Sequence, residues 1–149
     1  MSSTSTTGTP TSSASRVPAG KIVLAGAVAA LVALVANTLV AQVALGAGAS
    51  DDFTPLTPGA YGFFTVIGVI AGLVGWLLIR RTTNAAATLR WLVPSVLVVS
   101  LVPDVLVGFS DQAGVSWGAV IALMAMHLIV TVVAVATFTR LLPLQRTHA

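Results

Sequence analysis

One acid and one imidazole of this chain lie inside long apolar runs. Asp104 stands in the stretch SLVPD and His127 in ALMAMHLIV, whereas Asp51, Asp52 and Asp111 fall in short segments rich in Gly, Pro, Ser and Thr. The chain has no Cys, no Glu and a single Lys, which excludes disulfides, thiolate metal sites and glutamate pairs. Two histidines without cysteine make a poor metal site. No glycine-rich turn that could cradle a phosphate leads into a helix, because the glycines lie within apolar sequence. Asp104 and His127 can hydrogen-bond across helices, or pass a proton or hold a ligand between them. At the centre of a membrane helix a carboxylate is penalised by about 2.5–3.5 kcal/mol on insertion scales. Asp104 is therefore expected to face other helices, away from lipid.

The medium is set by composition. Of 149 residues, 56% are hydrophobic and 7% charged, and the mean hydropathy is +1.00. Soluble domains carry roughly 25% charged residues, so this chain lacks the coat that water requires. The net charge of +3 arises from scattered cations with no basic run, which argues against a nucleic-acid partner. Four apolar runs are long enough to cross a bilayer, at about 22–45, 61–79, 89–109 and 117–141. The expected fold is an all-α bundle of four transmembrane helices over residues 21–144. A disordered Ser/Thr-rich tail, 1–20, precedes it and a short tail, 145–149, follows. Ala47-Gly48-Ala49 has the form of a signal-cleavage site, but the run before it far exceeds the roughly 7–15 residues of a signal core.

Local signals place several helix ends. Thr57-Pro58 fits an N-cap with proline in the first turn, Asn84 and Ser116 are candidate caps, and Pro143 stops the last helix. Gly26, Ala29, Ala30, Ala33 and Ala36 let a neighbour approach the first helix. Gly68, Gly72 and Gly75 form a second packing face, available to a neighbouring helix or to a partner protein. Tyr61, Trp76 and Trp91 are expected at membrane boundaries. In the third run, Pro103 removes a donor from the Val99 carbonyl and invites a kink. That run is the one around which the polar interior is expected to be organised.

Every Lys and Arg falls on one side of a four-span arrangement: Arg16, Lys21, Arg80, Arg81, Arg90, Arg140 and Arg146. Asp51, Asp52 and Asp111 fall on the other. By the positive-inside bias both termini are cytoplasmic, in the plasma membrane. At about 1.5 Å per residue, Asn37 and His127 then lie roughly 12 and 15 Å below the outer surface. The polar residues sort into an upper layer of Gln42, Thr65 and Asp104 and a lower layer of Asn37, Ser100 and His127. At their own depth Ser100 and His127 find no orienting carboxylate, so a catalytic triad is not supported and no enzyme is expected.

Asn37, LTPGAYGFFTVIG, GLVGWLLIRR, LRWLVPSVLVVSLVPD and ALMAMHLIVTVVAV together resemble a family of small actinobacterial four-helix membrane proteins of unknown function. The resemblance covers roughly residues 20–144 and implies the four-span architecture. It carries no activity, substrate or cofactor. Within it, Asn37, Pro103, Asp104 and His127 are the distinctive positions. The functional expectation is a structural or accessory membrane subunit, in contact with lipid and with a membrane-protein partner or further copies of itself. The alternative is a small proton-linked transporter or ligand-binding protein that uses Asp104 and His127.

Overall fold

The computed structural model describes residues 17–144; most of the N-terminal tail and all of 145–149 lie outside them. Four helices follow one another: α1 (Ala19–Gly46), α2 (Pro58–Ile79), α3 (Ala85–Val107) and α4 (Trp117–Leu141). Each is long and apolar enough to cross a membrane, and no strand occurs among the described residues.

Three helices start before their apolar runs, because capping geometry sets the backbone where hydropathy does not. The carbonyl of Pro18 accepts from the amides of Lys21 and Ile22, so α1 begins at Ala19. Pro58 occupies the first turn of α2, its fixed φ preset for helix. Thr57 does sit at the N-cap, but its hydroxyl donates back to the Thr54 carbonyl at 2.7 Å. Asn84 precedes α3 without a side-chain cap. Ser116 does cap α4, its Oγ accepting from the amide of Ala119 at 3.2 Å.

Two apolar clusters show that the helices alternate in direction. One joins the end of α1 (Ala41, Ala44) to the start of α2 (Tyr61), the end of α3 (Val107) and the start of α4 (Ala119, Leu123, Met126). The other joins the start of α1 (Ala25, Ala29) to Trp76 near the end of α2, Leu89 in α3 and Phe138 near the end of α4. The first cluster is closed by the α1–α2 connection, a 3-10 turn at Thr54–Leu56 that buries Phe53 and Leu56. There Gly114, at φ +71°, approaches so closely that a Cβ would lie 2.9 Å from Phe53 N and from Ser50 Cβ. The two connections at this end interlock.

The central helix is α4, which meets α1, α2 and α3. Its broadest contact is with α1, whose Ala25, Ala29, Ala33, Ala41 and Ala44 are all buried. Alanine every fourth residue lets two backbones come close, and close approach is what holds helices together where lipid is as apolar as leucine. The expected role of the third run is overturned here: α3 is peripheral, and only Ala85 and Asp104 of it are buried. Its sequence from Leu89 to Val107 contains no Gly or Ala. It meets α4 along one side and leaves the rest of its surface outside the bundle. It runs unbroken through Pro94 and Pro103.

Tyr61 and Trp76 stand near the helix ends, as expected, but both rings are buried. The exposed aromatic residues near helix ends are Phe63, Phe64, Trp91, Phe109 and Trp117. A buried ring must satisfy its polar tip. Trp76 Nε1 donates to the Leu142 carbonyl at 2.9 Å, and the Tyr61 hydroxyl shares a hydrogen with Thr38 Oγ1 at 3.1 Å.

Candidate functional site

Asn37 occupies the place in the α1 stripe where the spacing of four would call for another alanine. It is 2% exposed and Thr65, on α2, is 3% exposed. Asn37 Nδ2 donates to Thr65 Oγ1 at 2.8 Å. The amide oxygen, Oδ1, is buried without a hydrogen-bond partner. This pair therefore fastens α1 to α2 with one of the amide's two polar ends in use.

A second pair joins α3 to α4. His127 Nδ1 lies 2.9 Å from Asp104 Oδ2 and 3.1 Å from the carbonyl oxygen of Leu123. Alignment favours the carbonyl, and Oδ2 receives no hydrogen bond, so the approach to Asp104 is a close polar contact rather than an aligned bond. The carboxylate is enclosed and the imidazole is not: their side chains are 9% and 41% exposed. An acid and an imidazole at this distance can exchange a proton, with the ring as the accessible member.

The two expected layers are not what the structure forms, and helix geometry says why. With α2 starting at Pro58, Thr65 lies deeper than a start at Tyr61 would put it, near the level of Asn37. In α3 and α4, Cα–Cβ bonds tilt toward each helix's N-terminus. The helices run in opposite directions, so Asp104 leans one way along the bundle and His127 the other. The His127 ring reaches back one turn to the level of Leu123, where Asp104 meets it.

The remaining polar candidates stay outside both pairs. Gln42 is exposed; five residues from Asn37 it sits about 140° round the helix at 100° per residue. Ser100 Oγ donates to the Leu97 carbonyl of its own helix at 2.7 Å. Gly68 and Gly72 are turned toward α4, where a Cβ would meet Val130 Cγ1 at 3.9 Å and Phe138 Cε2 at 3.8 Å. Gly75 faces open space. Sequence reasoning missed the Thr38–Tyr61 and Trp76–Leu142 bonds. The available signal was a polar aromatic tip one helix away from a threonine, or from a chain end that leaves carbonyls free. It also missed Arg80, which is 8% exposed.

The model of a family of unknown function, DUF6069, matches residues 17–143. The chain belongs to that family. The DUF6069 match takes in all four helices, both polar pairs and the interlocked connections. No curated protein and no solved structure matches the chain significantly. Membership thus adds the unity of the four-helix unit and no chemistry.

Proposed function

We propose that this DUF6069 protein is a structural or accessory subunit of the plasma membrane of an actinobacterial cell, with both termini in the cytoplasm. The observation that carries the reading is how its interior polar groups are used. Asn37 with Thr65, Thr38 with Tyr61, Trp76 with Leu142 and Asp104 with His127 all join one helix, or a helix end, to another. Such contacts contribute about 0.6–2 kcal/mol each and fix which helices pair. Orientation is supported by the described cations, since Lys21, Arg80, Arg81, Arg90 and Arg140 lie at one end of the alternating bundle. Asp51, Asp52 and Asp111 lie at the other. The source and the membrane rest on the family resemblance and the charge bias.

Cross-linking in native membranes followed by purification tests the accessory role. One stable companion, or a defined homo-oligomer, is expected, and a chain recovered only as a free monomer would refute it. Cysteine introduced at Thr83 should be shielded from impermeant reagents outside the cell, and cysteine at Gln112 should react.

The exposed ring of His127 against the enclosed carboxylate of Asp104 favours a second reading, a proton-linked carrier or ligand-binding protein. In reconstituted vesicles Asp104→Asn should then abolish a proton or solute flux while the protein still inserts. An unchanged flux would remove this alternative.

A further inference from the structure

Arg80 is the first residue after α2 and, unlike the other described cations, it is buried. Its Nη1 is fully enclosed and makes no hydrogen bond. A guanidinium cannot shed its charge in a protein, and it presents donors in a planar fork that fits the two oxygens of a phosphate or carboxylate. Burying it without such a partner is costly. Every described acid lies at or near the opposite end: Asp51, Asp52 and Asp111 in the connections, and Asp104 one turn from the end of α3. None can serve Arg80. Exposed Lys21, Arg81, Arg90 and Arg140 share its end of the bundle, so the local field favours an anion.

Depth identifies the anion. The 22 residues of α2 span about 33 Å at 1.5 Å per residue, close to the roughly 30 Å of a hydrocarbon core. Arg80 at the end of that helix therefore falls at the level of the lipid headgroups. We propose that Arg80 is the centre of a binding site for the phosphate of an anionic phospholipid headgroup, with the surrounding exposed cations drawing the lipid to it. Basic pockets between transmembrane helices on one side of a membrane have the chemistry to bind such headgroups. The inference is independent of whether the protein is an accessory subunit or a carrier, because it needs only the membrane embedding.

The test uses the full chain, purified in a neutral detergent and titrated with phosphatidylglycerol, phosphatidylcholine or inorganic phosphate, with bound lipid read by native mass spectrometry. Phosphatidylglycerol should be retained in preference to phosphatidylcholine, and Arg80→Gln should weaken that retention roughly tenfold, the order of one charge-assisted fork. Arg81→Gln should change it less than twofold. Arg80→Lys keeps the charge without the fork and should lie between; it also serves if Arg80→Gln does not fold. Competition by millimolar inorganic phosphate would assign the site to a free anion and overturn the lipid. Equal retention of the two lipids, or equal losses in Arg80→Gln and Arg81→Gln, would overturn the site itself.

Discussion

Thr65→Val is the sharpest test of the α1–α2 pair, because it exchanges a hydroxyl for a methyl of nearly the same volume. No cavity is created, so the change in stability reports the hydrogen bond alone. With valine at position 65, Asn37 Nδ2 loses its acceptor at 2.8 Å and joins Oδ1 as a second buried polar atom without a partner. Interhelical bonds in membranes average about 0.6 kcal/mol and reach about 1.7, whereas an orphaned buried polar group costs about 1–3 kcal/mol. The ranges overlap at about 1–1.7 kcal/mol, the expected loss for Thr65→Val. Asn37→Ala removes the donor and the orphaned oxygen together and restores the alanine stripe of α1. The hydroxyl left on Thr65 can turn to a carbonyl of its own helix. Asn37→Ala should therefore cost less, about 0–1 kcal/mol, and in its background Thr65→Val should be near neutral. Reversible unfolding in bicelles, followed by steric trapping with helicity as a second probe, measures all three variants. The opposite order, with Thr65→Val silent and Asn37→Ala costing more than about 2 kcal/mol, would refute the pairing and assign Asn37 to packing or to another partner.

The other expectations concern packing, loop strain and the remaining contacts. Ala33→Leu overfills the α1–α4 contact and should cost about 1–3 kcal/mol in the same assay, while Leu31→Ala on the exposed side should stay within about 0.5. Gly114→Ala meets both the positive φ and the 2.9 Å approach to Phe53 and Ser50, so about 1–3 kcal/mol is expected, with faster amide exchange across Ser50–Phe53. Trp76→Phe keeps a ring beside Phe138 but loses the bond to the Leu142 carbonyl, for about 0.6–1.7 kcal/mol. Asp104→Leu should improve insertion of α3 yet broaden α3–α4 distances measured between spin labels; a distribution as narrow as the wild type's would mean that His127 does not hold Asp104.

The existence of four helices was legible because each apolar run has the length and composition of a membrane-crossing helix. The starts at Pro58 and Trp117 were legible because Thr57-Pro58 and Ser116 carry backbone chemistry. Which helix sits at the centre was not, because hydropathy reports affinity for lipid and is silent about neighbours. The deciding feature is side-chain size: the stripe through Ala25, Ala29, Ala33 and Ala41 seats α1 on α4, and the absence of any such stripe leaves α3 outside. Ala29 and Ala33 were recognisable as packing residues, but Gly26, Ala30 and Ala36 blurred the direction of the face. Asn37, Thr65, Asp104 and His127 could be singled out because buried polar groups must find partners. Their pairing could not be read from Cα depth alone, since side chains displace their polar ends by about a helical turn. Phe53 was overlooked because a connection rich in Asp, Thr and Pro suggests solvent, although its apolar side chains close the end of the bundle.

The peripheral position of α3 gives the Asp104–His127 contact its significance. In water a helix with only two buried residues would have no fixed place, because its valines and leucines would drive it into a core. In lipid those side chains are satisfied by acyl chains, so apolar burial does not choose between a docked and an undocked α3. What chooses is the small set of specific contacts. At one end Leu89 reaches the cluster around Trp76. At the other, Gly108 lies so close to the Trp117 ring that a Cβ would sit 3.1 Å from it. Between them stands the polar pair, the one contact along α3 that lipid cannot replace, since an acyl chain offers Asp104 nothing. The same contact that fixes the helix is thus the one that a proton's departure would weaken, and the accessory and carrier readings meet at that point. An accessory subunit would keep α3 docked so as to present a constant surface, and a carrier would let it move as the proton leaves. Distances between α3 and α4 measured in membranes across a range of pH therefore separate the two readings without knowledge of any substrate.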